Sequence, residues 1–405
     1  MRQDRGPVKN GIGSYKLKDG STRYRVVYRA NGEVHNRGGF KTKGAAQAYL
    51  NSAKVSVDTG THVAPTGGRI RFDDWAEQWL TSVVDVRPST KARDESYLRN
   101  YVMPTFGPMQ LRQIDYAAVT KWVANLSASG RKLSDDPLAA STVHKAFQIM
   151  SKVMRSAVLA GKIARNPCLD VPLPRIEREE ARFLDPDELV ALEHAIEATE
   201  RQRYRLTRAE PRLPLIIPFL ADTGLRIGEA AALRWRDVNV AAGTVEVRET
   251  LVEVNGVVHL NPPKTKAGRR VVPTLTDEVA ERLADRALRL GLGADDFMWQ
   301  GEDGGVLRPG LFRRRVWKPA LEIAGLADPQ PTPHSLRHTA VAHWIHAGVV
   351  EPLKLQRWAG HRSTTTIYGV YGHLLPSDAT DERRALSALR AGAQARAGER
   401  HLRAV

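Results

Sequence analysis

The sequence predicts a multidomain protein with three parts. A small β-sheet with one helix comes first, an all-α segment follows, and a mainly α domain with a small antiparallel β-sheet completes the chain. The first part alternates apolar and polar residues around turn dipeptides, the second repeats apolar residues every three to four positions, and the third is helical with one run of strand patterns. Linkers with Gly or Pro place the parts at residues 1–66, 70–170 and 180–405.

Composition fits globular domains and excludes several classes of protein. Of the 405 residues, 42% are hydrophobic and 26% are charged, which suits two or three folded domains. No apolar run is long enough for a membrane span, and Met1 precedes polar and basic residues rather than a signal peptide. The single cysteine, Cys168, excludes an internal disulfide framework and a cysteine-based zinc site. We therefore expect a cytoplasmic protein without a membrane partner.

The charge points to a polyanionic partner. Lys and Arg number 61 against 45 Asp and Glu, which gives a net charge of +16. Residues 1–66 contain 12 of the basic and 4 of the acidic residues, so half of the net charge lies at this end of the chain. Such a surface binds nucleic acid through counterion release whether or not the protein is an enzyme.

The first part is typical of three strands followed by a helix. Asp19-Gly20 and Asn31-Gly32 are hairpin-turn dipeptides between alternating segments, and a helix is expected from about Lys43. The arginines expected on one face of the middle strand are Arg23, Arg25 and Arg29. We favour DNA contact for this module, and for each arginine alone the alternative is a solvated face over a small core.

The other two parts have their own local signals. Residues 72–165 contain four segments with the apolar spacing of helices, which suits a small bundle. The third part opens at Asp185, an N-cap residue with Glu188 three positions later, which is typical of a capping box. Its strand patterns surround the hairpin-turn dipeptide Asn255-Gly256.

Five residues of the third part form a set suited to phosphate chemistry. His334, Arg337, His361 and Tyr371 lie within forty residues, and Arg226 lies in the run TGLRIGEAAALRW. The planar guanidinium fork matches phosphate oxygens, imidazole passes protons near neutral pH, and a phenol is a candidate oxygen nucleophile. Taken singly, each residue is weak evidence.

Local helix signals bring part of this set together. Thr332 predicts an N-cap, so His334 and Arg337 fall near the start of a helix and share one face, where the helix dipole favours an anion. A second helix should end at Gly360 in a left-handed conformation. His361 would then lie on a turn and be free to point into a cleft.

The order of these residues resembles that of the tyrosine recombinases. The chain has Arg, Lys, His-x-x-Arg, Gly-His and Tyr in this order, in the blocks TGLRIGEAAALRW, PKTKAGRRVVP, TPHSLRHT, WAGH and YGHLLP. These blocks are similar to those of phage-type integrases and extend over the whole third part. The resemblance implies a site-specific DNA recombinase that cuts and rejoins DNA through a 3′-phosphotyrosine intermediate, without ATP, metal or cofactor. It would integrate, and also excise, a phage or another mobile element.

The resemblance also implies a role for each residue. Arg226 and Arg337 would bind the non-bridging phosphate oxygens, and Tyr371 would attack phosphorus. Lys264 would protonate the 5′ oxygen that leaves, and Lys266 is its local rival. The positive charge of the nearby arginines would lower the pKa of that lysine, which favours proton donation at neutral pH.

Histidines and a second tyrosine complete the assignment. His334 would assist removal of the tyrosine proton and His361 would donate a hydrogen bond to the phosphate, whereas His338 is expected only to pack. Tyr368 competes with Tyr371 as nucleophile, and Tyr371 is preferred because the family places its tyrosine ten residues after the Gly-His histidine.

Glu229 follows Arg226 by three positions. It could support the site, and an ordinary ion pair on a helix face is the simpler interpretation.

DNA contacts and partners are also implied by the resemblance. The first part resembles an arm-type DNA-binding domain and the second a core-type domain. Basic residues of the second part that would contact phosphates include Lys91, Arg93, Lys121 and Lys145. The expected partners are double-stranded core-type and arm-type attachment sites, a homotetramer on DNA, a DNA-bending host factor and an excision directionality factor. The enzyme would work in a bacterial cytoplasm at the nucleoid, and the tail from residue 377 would dock on a neighbouring subunit.

Other classes of function account for less of the sequence. A non-catalytic DNA-binding regulator from the same family explains the charge and the first two parts, but not the ordered catalytic set. A metal-dependent nuclease is disfavoured because no acidic cluster with ligand spacing accompanies the basic residues. A topoisomerase of the same chemistry stays open on the residues alone, and the separate first part favours integration.

Overall fold

A computed structural model gives the structure of the chain, and it describes residues 8–30, 32–59, 63, 67–84, 86–129, 137–177, 182–205, 211–263, 268–302, 304–361, 363–375 and 387. Lys264, Lys266 and almost all of the tail from residue 377 lie outside these ranges. The chain divides into two compact units, residues 1–178 and 179–405.

The first unit contains both the small sheet and the helical segment. Its elements within the described residues are β1 (Ile12–Lys16), β2 (Thr22–Ala30), β3 (Glu33–Phe40), α1 (Lys43–Asp58), α2 (Phe72–Ser82), α3 (Pro88–Tyr97), α4 (Met103–Phe106), α5 (Tyr116–Ser129) and α6 (Ala140–Leu159). A π-helical turn, Leu98–Val102, joins α3 to α4. Two separate apolar cores form here, one under the sheet and one inside the helical segment.

The three-stranded sheet has the predicted form. Strand β2 lies in the middle and pairs antiparallel with both β1 and β3. Its even-numbered residues Val26, Tyr28 and Ala30 are buried and share a core with Leu50 of α1. Because side chains alternate along a strand, the odd-numbered positions, which include the three arginines, face away from α1. Helix α1 begins after Thr42, whose hydroxyl accepts from the backbone N–H of Ala45.

The helical segment forms one core, as the apolar spacing predicts. Aromatic rings of different helices meet inside it, with Phe106 5.4 Å from Trp122 and 6.2 Å from Phe72 between ring centroids. The indole N–H of Trp122 donates to the Tyr101 carbonyl at 3.0 Å. This bond removes the penalty of burying a polar group.

The second unit is mainly helical. Its elements within the described residues are α7 (Pro186–Tyr204), α8 (Ile216–Thr223), α9 (Ile227–Ala231), β4 (Val238–Asn239), β5 (Thr244–Val247), β6 (Thr250–Val254), β7 (Val257–Asn261), β8 (Arg270–Val272), α10 (Asp277–Leu290), α11 (Pro309–Phe312), α12 (Lys318–Ile323), α13 (Pro333–His346), α14 (Pro352–Ala359) and α15 (Thr364–Tyr371). One large apolar core joins these elements. None of the described helices has the length and apolar character that a bilayer crossing requires.

The strands of this unit form two small antiparallel sheets rather than the one expected. Strands β4, β5 and β8 make one sheet, and the hairpin β6–β7 makes the other. The predicted turn dipeptide lies in the hairpin, where Asn255 and Gly256 have φ values of 50° and 80°. Two successive positive φ values match the right-handed twist of a hairpin.

Several helix ends point toward one region of the second unit. Helix α8 ends at Gly224 and α14 ends at Gly360, both in the left-handed conformation. Helix α13 begins after Thr332, as predicted, and α15 begins after Ser363. Since a left-handed residue turns the chain abruptly, the residues just after α8 and α14 leave their helices at once. Candidate site residues stand at these positions.

Candidate active site

The guanidinium group of Arg337 is the buried anchor of the site. Only 1% of the residue is exposed. Its Nη1 donates to the Gly224 carbonyl at 2.8 Å, and its Nη2 donates to the Ala359 carbonyl. The ends of α8 and α14 are therefore tied to the first turns of α13. Burial, followed by the nearby charge of Arg226, lowers the pKa of Arg337, and an arginine remains protonated at neutral pH even so.

Arg226 lies beside this anchor and is more open. It is the N-cap residue of α9, and 42% of its side chain is exposed. Its Nη1 donates to Glu229 Oε1 at 2.8 Å, and its Nη2 lies 3.3 Å from the Gly360 carbonyl. The Glu229 carboxylate is 5% exposed and also binds Arg270. The expected Arg226–Glu229 pair is thus part of a larger buried network.

His361 follows the left-handed Gly360 directly, as the sequence predicts. Its backbone N–H donates to the Gln356 carbonyl at 3.0 Å, and the Gln356 side chain donates back to the His361 carbonyl at 3.2 Å. Among the described residues, the buried polar atoms without a partner include His361 Nδ1 and Arg337 Nε. An unsatisfied buried donor costs about 1–3 kcal/mol, so these atoms mark a place where a ligand can provide acceptors.

The hydroxyl of Tyr371 meets a histidine that the sequence did not assign. His338 Nδ1 lies 2.7 Å from Tyr371 Oη. His334 stands one helical turn earlier on α13, and its ring packs edge-on against His338 at a centroid distance of 5.0 Å. The expectation that His338 only packs missed this contact. Spacing could have suggested it, because His334 and His338 are four apart on one helix face.

Electrostatics keep the imidazoles neutral at pH 7. Burial and then the Arg337 charge lower the pKa of His361 to about 3. Part of His334 is exposed, yet burial of the rest of the ring, with His338 and Arg337 nearby, lowers its pKa to about 4. The pKa of His338 is also lowered, by burial and by Arg337. Burial raises the pKa of Tyr371 to about 12, although Arg337 opposes this.

The two candidate tyrosines have opposite exposures. Tyr371 is fully buried, and its ring lies 6.2 Å from that of Phe183. Tyr368 is 58% exposed. Within the described part of the chain, Tyr371 alone of the two forms a hydrogen bond to a residue of the basic site. Contact therefore favours Tyr371, whereas exposure to solvent favours Tyr368.

The other predicted residues lie on the surface or outside the described ranges. Lys264 and Lys266 belong to residues 264–267, which are not described. In the first unit, Arg29 is exposed, and Arg23 and Arg25 are half-buried. The predicted basic side chains of the helical segment are exposed, namely Lys91, Arg93, Lys121 and Lys145. Arg93 is paired with Asp94 at 3.0 Å, which occupies part of its guanidinium group.

This arrangement can bind a phosphoryl group and place a phenol beside it. Guanidinium groups suit phosphate oxygens, and neutral imidazoles next to them can donate hydrogen bonds or accept a proton. Among the described residues no group of three or more His, Cys, Asp and Glu side chains is arranged to hold a metal ion.

The lowered histidine pKa values predict how stability depends on pH. The unfolded chain binds protons on His334 and His361 below about pH 6.5, whereas the folded chain keeps them neutral until about pH 4 and 3. Their contribution is therefore complete above pH 6.5 and is lost as the pH falls. Thermal unfolding at pH 7.5, 6.5 and 5.5 should show this loss. The loss of stability between pH 7.5 and 5.5 should be smaller in His361→Gln than in the wild type. In His194→Gln, which alters an exposed histidine on α7, the loss should equal that of the wild type. An equal slope in the wild type and His361→Gln would contradict the assignment.

Comparison with known proteins identifies two regions of the chain. Residues 182–377 match the model of the phage integrase family, and residues 71–127 match the N-terminal SAM-like domain of phage integrases. Together these regions cover more than half of the chain. A curated relative is the ICEBs1 integrase of Bacillus subtilis (strain 168), which is 24% identical over 305 residues, covering 73% of this chain and 76% of the relative.

Solved structures show the same fold. The Tn1549 transposon integrase in complex with transposon right-end DNA aligns with a TM-score of 0.59 at 20% identity, covering 79% of this chain and 100% of that one. A lambda integrase tetramer bound to a Holliday junction aligns with a TM-score of 0.55 at 18% identity, covering 90% and 96%. The chain therefore belongs to the phage integrase family and is a tyrosine recombinase, an enzyme that breaks and rejoins DNA.

Proposed function

We propose that the chain is a site-specific integrase that inserts a phage or another mobile element into a bacterial genome, and also excises it, through a 3′-phosphotyrosine intermediate. The single observation that carries this proposal is the contact between Tyr371 Oη and His338 in a site that contains two arginines. A nucleophile held at a phosphate-binding site is what covalent strand exchange requires.

Charge neutralisation is the first requirement of the reaction. A phosphodiester repels an oxygen nucleophile until its negative charge is compensated. The Arg226 side chain is partly exposed, Arg337 Nε is a buried donor, and His361 Nδ1 is a buried ring nitrogen; within the described residues neither buried atom has a hydrogen-bond partner. We assign these three side chains to the non-bridging oxygens of the scissile phosphate. Phosphate binding would satisfy both buried atoms and raise the histidine pKa values.

The chemical step forms one bond and breaks one. The Tyr371 oxygen bonds to phosphorus, the bond from phosphorus to the 5′ oxygen breaks, and the 3′ phosphate stays on the tyrosine. The phenol proton passes to an imidazole, and the 5′ oxygen takes a proton from Lys264. The sequence assigns the phenol proton to His334. The 2.7 Å contact supports His338 as the direct acceptor, with His334 behind it.

Burial of Tyr371 implies that DNA binding controls access to the nucleophile. The phenol is fully buried and its pKa is raised to about 12, so it is shielded from solvent and protonated at neutral pH. Attack on a phosphate therefore requires α15 to shift. Tyr371 is the last residue of α15, so we assign this shift to the end of that helix.

DNA recognition is assigned to all three parts of the chain. Residues 1–66 would bind arm-type sites through the arginine face of β2, and residues 70–170 would bind core-type sites together with residues 180–405. The separate cores of the first two parts support this division. Exposed basic side chains provide phosphate contacts and a salt-dependent affinity.

The assembled state is proposed from the chemistry of strand exchange. Two duplexes are each cut on two strands, so four protomers are needed, and the aligned lambda integrase was solved as a tetramer on a Holliday junction. A DNA-bending host factor would bring arm-type and core-type sites together, and a directionality factor would select excision. The proposed location is the nucleoid in the cytoplasm of the host cell.

The nucleophile assignment predicts opposite results for the two tyrosines. Tyr371→Phe removes the attacking oxygen and should abolish the covalent adduct on a suicide DNA substrate while DNA binding stays unchanged. Tyr368→Phe is the matched control on the same helix and should retain the adduct. Gel analysis of both variants decides between them, and an adduct formed by Tyr371→Phe but not by Tyr368→Phe would overturn the assignment. A protein that forms no adduct in any form would instead support the non-catalytic regulator.

The His338 contact predicts a defect in cleavage rather than in binding. His338→Phe removes the proton acceptor and keeps a ring, so adduct formation at saturating DNA should slow by about 100-fold, the lower range of general-base effects. His338→Asn, which keeps a hydrogen-bond acceptor, should lose less. The rate is measured in single turnover with DNA affinity alongside. A His338→Phe rate equal to or above the wild-type rate would exclude the role.

The domain assignment predicts that residues 1–66 are separable. Their removal should leave cleavage of a core-site suicide substrate intact and abolish efficient integration, because tethering a second DNA-binding module raises its local concentration. Binding to core-type and arm-type DNA is compared by gel shift. If the truncated protein still bound arm-type DNA, the assignment would be wrong.

A further inference from the structure

Arg270 is a fully buried arginine that no step of the proposed reaction uses. It opens strand β8, and its side chain is 2% exposed. Each of its three nitrogens has a partner: Nε donates to the Trp358 carbonyl at 2.7 Å, Nη1 contacts the Gly268 carbonyl and Glu229 Oε1 at 3.2 Å, and Nη2 donates to Glu229 Oε2 at 2.9 Å. A side chain so completely bonded is held in one orientation.

The Glu229 carboxylate links Arg270 to Arg226. It accepts a bidentate pair of hydrogen bonds from Arg270. Its Oε1 also accepts from Arg226 Nη1 at 2.8 Å, and its Oε2 also accepts from the backbone N–H of Arg226 at 3.0 Å. Burial alone would raise the pKa of Glu229, but the hydrogen bonds and charge of Arg270, together with the charge of Arg226, lower it to about 2. The carboxylate is therefore ionised at neutral pH.

The burial of the Arg270–Glu229 ion pair is not explained by a gain in folding stability. Removing two charges from water costs several kcal/mol for each ion, and well-packed apolar side chains often replace a buried ion pair without loss. A buried pair does fix geometry, since each of its members has strict directional needs. This favours a role for Arg270 in placing its neighbours.

Arg270 also contacts the backbone of two segments that are distant in the sequence. Its Nη1 contacts the carbonyl of Gly268, and its Nε donates to the carbonyl of Trp358 in the last turn of α14. A Cβ at Gly360 would lie 2.9–3.0 Å from the Arg270 guanidinium group. The glycine that precedes His361 is thus required by Arg270 as well as by its left-handed φ of 61°.

We propose that Arg270 is a positioning residue that restrains Glu229, so that Arg226 keeps hydrogen-bond donors free for the scissile phosphate. With Arg270 present, the carboxylate is shared and contacts the Arg226 guanidinium through one nitrogen. Without Arg270, both carboxylate oxygens turn to the Arg226 guanidinium group and form a bidentate pair with it, because an unpaired buried carboxylate is costly. The site also loses one positive charge. This inference deepens the proposed function and rests on it.

The test compares four variants of the full-length chain, three single substitutions and one double variant. Arg270→Met removes the restraint, Arg270→Lys keeps the charge without the fork, Glu229→Gln removes the competing charge, and the double variant Arg270→Met with Glu229→Gln removes both. Arg269→Met is the matched control, because Arg269 is the neighbouring residue and is 68% exposed. Single-turnover adduct formation at saturating DNA, DNA affinity and thermal unfolding are measured for each.

Arg270→Met should slow adduct formation by about 100-fold, the effect of losing one donor to a developing oxyanion, with little change in DNA affinity. The double variant should recover at least about tenfold over Arg270→Met, a coupling of about 1.4 kcal/mol. Arg269→Met should behave as the wild type. A double variant slower than Arg270→Met would overturn the proposal, because a purely structural arginine gives losses that add.

A readout independent of cleavage separates this inference from the proposed function. Phenylglyoxal modifies accessible guanidinium groups, and peptide mass spectrometry reports the rate at Arg226. Modification of Arg226 should slow in Arg270→Lys and should recover when Glu229→Gln is added to it. Arg270→Lys keeps the buried charge and therefore serves even if Arg270→Met does not fold. An unchanged rate at Arg226 would overturn the positioning role. If the wild type forms no adduct, the proposed function fails and the phenylglyoxal result still decides the role of Arg270.

Discussion

The burial of Arg337 is the constraint on which the catalytic unit depends. A guanidinium group that is 1% exposed must find acceptors inside the protein, and Arg337 finds them in the carbonyls of Gly224 and Ala359. Those carbonyls lie at the ends of α8 and α14, so the site forms only when both helices end in the right place. The left-handed glycines at positions 224 and 360 provide these ends. The same contacts thus determine how the unit packs and how its site is arranged.

The charges of the site are balanced only in part by the protein. Among the described residues, one carboxylate, that of Glu229, lies near the three arginines Arg226, Arg270 and Arg337. The pKa values of the neighbouring histidines are lowered, so these rings add no charge at neutral pH. Such an excess of positive charge disfavours folding and favours an anion, and in the proposed function a phosphodiester supplies the missing negative charge. Tyr371, the proposed nucleophile, is fully buried beside these charges.

Local signals predicted much of the fold and of the site. Turn dipeptides predicted the hairpins, Thr332 and Gly360 predicted the ends of α13 and α14, and the positions of His334, Arg337 and His361 followed from these ends. The contacts of His338 with Tyr371 and of Arg270 with Glu229 were not predicted. Each joins residues 33 or 41 positions apart, so it depends on how helices and strands pack and not on any periodic pattern. The second unit has two small sheets where one was predicted, for the same reason: packing determines which strands pair.

The most direct test of this account identifies the residue that becomes linked to DNA. Wild-type protein is trapped on a suicide core-site substrate, the DNA is digested to a short remnant, and the modified peptide is sequenced by mass spectrometry. The account predicts a nucleotide joined through its 3′ phosphate to the oxygen of Tyr371, the phenol that lies 2.7 Å from His338. A remnant on Tyr368, or one joined through a 5′ phosphate, would contradict it.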